Sequence, residues 1–120
     1  MTISGRVIRG LGYGKKIGFP TLNLDRRNFL KLEKKPHFGV YAGIAALSKK
    51  TYKAGIVIGP LDEKGLPKVE AHLMGFSGDA YGKKAVIEIG AFIRKFKTFK
   101  NTKELIIQIK KDMAFVAKQK

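Results

Sequence analysis

The residues best suited to chemistry gather near the start of this chain. Residues 10–18 read GLGYGKKIG. Gly10, Gly12, Gly14 and Gly18 can take the positive φ values of a backbone nest that cradles an anion, and Lys15 adds a positive charge to it. The spacing is not that of a P-loop, which ends in Gly-Lys-Ser/Thr. Nor is it GxGxxG, because three residues separate Gly14 from Gly18. A strand-like segment follows, so a tight connection between strands accounts for the glycines as well as a phosphate loop does. That segment continues Gly18-Phe19-Pro20-Thr21-Leu22-Asn23. Pro20 fixes the local backbone, and Thr21 and Asn23, two apart on an extended chain, point their oxygens the same way. Two neutral hard oxygens suit a magnesium ion that keeps most of its waters; polar residues at an ordinary strand edge would look the same.

These residues need elements to hold them. Short runs rich in Val, Ile, Tyr and Phe recur between turn residues, which predicts an all-β domain with strands near 3–9, 20–24, 38–47, 51–58, 69–76 and 85–93. Segments 25–36 and 59–67 read as loops, and Ser48-Lys49-Lys50 as a hairpin turn without the usual Asn-Gly signal. From residue 69 the chain alternates, with Val69, Ala71 and Leu73 on one face and Glu70, His72 and Met74 on the other. The period then changes: Asn101 with Glu104 makes a capping-box-like start, and Ile106, Ile109, Met113 and Val116 recur at helical steps. Strands followed by one amphipathic helix predict a small closed barrel flanked by that helix, since closure removes exposed edges.

Composition narrows the function classes. The 120 residues carry 25 Lys plus Arg against 9 Asp plus Glu, a formal charge of +16, with 44% hydrophobic residues. That is enough apolar material for one folded domain. With no Cys, disulfides, zinc fingers, iron–sulfur clusters and thiol nucleophiles are excluded. Segment 38–47 is the longest apolar stretch, about half of what a membrane helix needs, and no signal-like block opens the chain, so a soluble, cytoplasmic protein is expected. By quarters the net charge is +5, +5, −1 and +7. A basic surface attracts polyanions, whether nucleic acid, anionic membrane or a phosphorylated small molecule.

The run GRVIRGLGYGKKIGFPTLNL, residues 5–24, resembles the N-terminal signature of riboflavin kinases, GxVxxG followed by more glycines and Gly-x-Pro-Thr-Ala-Asn. Val69-Glu70-Ala71-His72-Leu73 resembles that family's strand bearing the catalytic Glu, and Asp79-Ala80-Tyr81-Gly82 its Asp-x-Tyr-Gly turn. Ile93-Arg94, Phe99, Gln108-Ile109 and Asp112 resemble its C-terminal signature. The resemblance covers nearly the whole chain. It implies a six-stranded Greek-key barrel with a C-terminal helix, forming a single domain over 1–120. It also implies transfer of the γ-phosphate of ATP to the ribityl 5′-hydroxyl of riboflavin, making FMN. Carried over residue by residue, the 10–18 loop and Pro20 would cover the nucleotide, Thr21 and Asn23 would hold Mg²⁺ and the phosphates, Glu70 would be the base, and Arg94 would contact the flavin.

Three departures bear on these expectations. Leu22 replaces the small Ala and would crowd the nucleotide loop, Phe96 stands where the family usually has Glu, and segment 59–67 lacks the family's Asn-Pro-Thr-Phe element. The 120 residues carry no HxGH-like nucleotidyltransferase motif, so FMN rather than FAD is the expected product. ATP and riboflavin are the expected partners of a monomer, with no membrane contact and only nonspecific contact with nucleic acid. His72 reads as structural. The competing readings are a catalytically silent flavin- or nucleotide-binding relative and a basic β-barrel that binds RNA.

Overall fold

Alternating apolar residues on short strands close this chain around one core. The computed structural model describes residues 1–9 and 18–119. Its strands are β1 (Thr2–Ile8), β2 (Leu22–Leu24), β3 (Gly39–Leu47), β4 (Lys50–Leu61), β5 (Pro67–Leu73) and β6 (Lys84–Arg94). A one-turn helix α1 (Arg27–Leu30) follows β2, and α2 (Thr102–Lys118) ends the described chain. The strands form a closed barrel in the order β1-β2-β5-β4-β3-β6, antiparallel throughout. The hairpin-connected β3, β4 and β5, with β6 returning beside β3, make a Greek key. The expected fold is therefore the observed one.

Inward positions combine large and small side chains. Ile56, Ile58, Val69 and Ile87 meet Ala45, Ala54, Ala71 and Ala85, which lets a six-stranded barrel fill its interior. Where β3 shifts register against β6, a Cβ on Gly90 would stand 2.7 Å from the Ala42 carbonyl oxygen, so glycine permits the close approach there. The β3–β4 turn uses Ser48 and Lys49 at φ 52° and 67°, the left-handed pair a two-residue hairpin demands, without the glycine or asparagine that usually supplies it.

Two predicted loops differ from expectation. Segment 25–36 contains α1, started by Asp25, whose carboxylate accepts from the Arg27 backbone N–H at 2.9 Å and grips its guanidinium. The Asn28 amide ties the same turn to the Ser4 carbonyl at 2.9 Å. This delivers Phe29, fully buried, into the core; polar neighbours hid that role in the sequence. Segment 59–67 is a shorter loop than expected, with strand at both ends: β4 runs on to Leu61 and β5 begins at Pro67. Between them Asp62 organises the turn, accepting at Oδ1 from the Lys64 and Leu66 N–H groups and at Oδ2 from Arg26.

On α2 the predicted cap is present, with Asn101 Oδ1 accepting from the Glu104 N–H at 2.9 Å. Val116 and Asp112 are buried against the barrel, and a Cβ on Gly55 of β4 would lie 3.0 Å from Met113 Sδ, so this glycine seats the helix on the sheet.

Two outcomes follow from this packing. Phe29→Ala should cost about 3–5 kcal/mol of stability in urea unfolding. Its bond to Arg26 lowers the Asp62 pKa from 3.8 to about 2. The carboxylate therefore stabilises the fold fully above about pH 4 and loses that effect as pH falls through about 2. Asp62→Asn should flatten this part of the acid-unfolding curve.

Candidate active site

Backbone register alone brings the expected polar residues together. Ile8 pairs with Asn23, Asn23 with Glu70, Glu70 with Val57, Val57 with Val40 and Val40 with Arg94, one residue from each strand. Their sequence neighbours Val7, Leu24, Val69, Ala71, Ile56 and Tyr41 belong to the core, so this row lies on the outer face of the barrel. Directly paired Asn23 and Glu70 have Cβ atoms about 5 Å apart. Arg94, three strands from Glu70, is about 14 Å away along the sheet.

A groove of about 1050 Å³ runs over this row. Single-ligand pockets usually have about 300–1,000 Å³, so two small molecules fit side by side. Pro20, Thr21, Asn23, Glu70 and Arg94 all line it. Gly18, at φ 90°, sits in an exposed turn before them. Gly10, Gly12, Gly14 and Lys15 lie outside the described residues. One part of the groove is basic, with Arg9, Arg26, Lys64 and Lys68; the wall nearer α2 is apolar, with Phe96, Phe99, Leu105, Ile109 and Met113. A smaller cavity of about 450 Å³, beside Lys53 and Lys118, holds none of the expected site residues.

Glu70 is half-buried, and burial raises its pKa above 4.5, partly offset by Lys68 two residues earlier on the same face. Desolvation disfavours the charged carboxylate, which makes it a stronger proton acceptor than a free one. Among the described residues no hydrogen bond occupies the Glu70 carboxylate or the side-chain oxygens of Thr21 and Asn23. All three are therefore available to a ligand.

His72 is tied down instead. Its Nδ1 lies 2.6 Å from the Pro20 carbonyl oxygen, and since a carbonyl only accepts, Nδ1 donates. Its ring meets Phe19 edge-on at 5.8 Å between centroids. The structural role expected for His72 is thereby given content: it fastens β5 to the Phe19–Pro20 segment that leads into Thr21 and Asn23. Close by, the Asp79–Gly82 turn closes on β1. Asp79 accepts from the Tyr81 N–H at 2.9 Å, Gly82 N–H donates to the Val7 carbonyl, and Arg9 stacks 4.2 Å over the Tyr81 ring.

Arg94 reaches the groove with its fork already engaged. Nε donates to Asp112 Oδ1 at 3.0 Å and Nη2 to Oδ2 at 2.8 Å, while the Gln108 amide donates to Oδ1 at 3.0 Å. Sequence reasoning placed Gln108 and Asp112 in a signature without a role. The available signal was two polar residues four apart within the apolar stripe of a helix, which need a partner once buried. The Arg26–Asp62 ion pair at the groove's other side had no such signal, because it joins two segments read as loops.

The three departures resolve differently. Leu22 pairs with Ala71 and packs partly against the core while also lining the groove, and residues 10–17 of the loop it was expected to crowd lie outside the described residues. Phe96 adds to the apolar wall, and segment 59–67 presents Asp62, Glu63 and Lys64 to the groove. As to a metal, among the described residues no cluster of three or more His, Asp or Glu could form an all-protein cage. The unengaged neutral oxygens of Thr21 and Asn23 fit a hard cation whose remaining ligands are water and substrate phosphate.

Comparison with known proteins bears on the family and the fold. Over residues 1–119 the chain matches the family model described as flavokinase, riboflavin kinase. It is 35% identical over 120 residues to the RNA-binding riboflavin kinase RibR of Bacillus subtilis, covering 98% of this chain and 50% of that protein. The chain thus spans about half the length of this curated relative. Among solved structures, a Streptococcus pneumoniae chain described as a macrolide-efflux protein superposes with a TM-score of 0.88 at 26% identity, over 99% of this chain and 39% of the other. Riboflavin kinase from Trypanosoma brucei superposes with a TM-score of 0.72 at 24% identity, over 97% and 76% of the two chains, and so shares the fold. With its model matched from end to end of the described barrel and helix, the chain belongs to the riboflavin kinase family.

Proposed function

We propose that this chain transfers the γ-phosphate of ATP to the ribityl 5′-hydroxyl of riboflavin, releasing ADP and FMN. The observation that carries the reading is the cross-strand pair Asn23–Glu70, with Thr21 two residues from Asn23, on the floor of a groove that has room for two ligands. Phosphoryl transfer asks little covalent chemistry of a protein. It requires an alcohol and a phosphate in line, neutralised phosphate charge, and a group to take the alcohol's proton.

In this reading the ATP phosphates lie over Thr21 and Asn23, in the field of Arg9, Arg26 and Lys68. Thr21 and Asn23 would hold Mg²⁺, which when bound would neutralise charge on the phosphates. Glu70, strand neighbour of Asn23, accepts the proton of the ribityl hydroxyl as its oxygen attacks, and burial raises its basicity above that of a free carboxylate. His72 keeps the Pro20–Asn23 segment in register by holding the Pro20 carbonyl. The flat isoalloxazine packs on the apolar wall with Phe96 and Phe99, and Arg94, oriented by Asp112, frames that side. Substitution of Phe for the usual Glu at position 96 then supplies ring contact in place of a charge. A location in the cytoplasm and a monomeric state complete the proposal; among the described residues no helix is long and apolar enough to cross a membrane.

Purified protein given riboflavin, ATP and Mg²⁺ should yield FMN, read by chromatography with fluorescence detection. Glu70→Gln should lower kcat by about 10²–10⁴-fold with the thermal midpoint retained. Folded wild type that makes no FMN with any nucleoside triphosphate and divalent metal would overturn the assignment and leave a silent binding relative. A raised carboxylate pKa means the active, ionised form is lost as pH falls, so log kcat should drop on an acid limb with its midpoint above 4.5. That limb should be missing from the residual activity of Glu70→Gln.

A further inference from the structure

The positive charge far exceeds what the groove uses. Asp25, Asp62 and Asp112 are paired with arginines, and among the described residues no lysine takes part in an ion pair. At 100° per residue, Lys103, Lys110, Lys111 and Lys118 of α2 fall within an arc of about 100° and span about 22 Å along the axis. All four are exposed, and they stand opposite Leu105, Ile109, Asp112 and Met113, which face the groove. The acidic residues of α2 lie off this arc: Asp112 is buried, and Glu104, about 20° beyond Lys111, accepts at its carboxylate from the Lys100 N–H at 3.4 Å. At the other end of the helix, Lys53 of β4 donates to the Ala117 carbonyl at 2.9 Å. Exposed Lys49 and Lys50 lie about 10 Å further along that hairpin.

We propose that this lysine face is a second binding surface, separate from the catalytic groove, for the phosphate backbone of a nucleic-acid duplex read without base specificity. Three observations favour that partner. The lysines sit on a helix fixed to the barrel, so the array is preorganised. Steps of seven or eight residues separate the charges by about 11 Å, close to the roughly 12 Å width of a duplex major groove. The arc itself holds no aromatic ring on which single-stranded bases would stack, and the one exposed ring of α2, Phe115, lies about 40° beyond Lys111. An anionic membrane fits less well, because the apolar side of α2 is turned to the barrel and the groove and Ile107 is the one large apolar side chain inside the arc.

The test uses the full chain, with binding to short RNA and DNA duplexes measured by fluorescence anisotropy across a salt series. Affinity should fall steeply with salt. Lys110→Glu combined with Lys111→Glu should weaken binding about tenfold or more and reduce the log–log salt slope by about two. Its thermal midpoint and FMN formation should match wild type. Lys34→Glu combined with Lys35→Glu, in the connection between α1 and β3, makes the same change in net charge and should weaken binding much less. Equal loss in both double variants, absence of duplex binding, or stronger attachment to anionic phospholipid vesicles than to either duplex would each overturn the proposal.

Discussion

Strand register is the constraint on which everything else in this molecule depends. Side chains alternate across a strand with a period of two, so sliding β5 by one residue against β2 would turn Glu70 inward and expose Val69 and Ala71. Burying an unpaired carboxylate while exposing two core residues is strongly unfavourable, so the core holds the site in place. Asn23 and Glu70 need no dedicated contact to find each other. The same alignment carries through Val57 and Val40 to Arg94, because closure of the barrel couples every ladder to the next.

Helix α2 supplies what a bare barrel lacks. The outer face of an isolated barrel is open to water, where charged groups are weakly felt. Seated through Gly55 and Met113, the helix raises one wall of the groove, and its buried Asp112 holds Arg94 through a forked pair. Asp112 is in turn braced by Gln108 one turn earlier. The opposite wall is set by Arg26 and the Asp62 turn, so two arginine–aspartate pairs fix the groove from either side.

Much of this was legible in the residues. Alternation at 69–74 assigned Glu70 and Val69 to opposite faces, and the three- and four-step recurrence after Asn101 located α2 and its cap. Contacts between distant segments left no local mark. Phe29 lies among polar and charged residues, and only the tertiary position of α1 makes it core. Asp62 looked like an ordinary loop residue, since its partner Arg26 is 36 positions away. His72 was read as structural, but its acceptor is a main-chain carbonyl, which side-chain patterns do not reveal. The extension of β4 to Leu61 ran through Gly59 and Pro60, residues whose types argue for a turn.

The shortest strand has the greatest consequence. β2 is three residues long and is registered to each neighbour at two positions, whereas β3 and β4 are zipped along nine. Resistance to local opening grows with the number of ladder bonds and buried contacts, so the seam carrying Asn23 is the weakest part of an otherwise continuous cylinder. Leu24 and Leu22 anchor it from inside and the His72–Pro20 bond from outside, leaving the polar residue between them on a segment that can breathe without loss of the barrel. Adaptability is thus concentrated in the stretch proposed to meet an anion, while the carboxylate across from it lies on a strand that β4 also holds through five consecutive pairs.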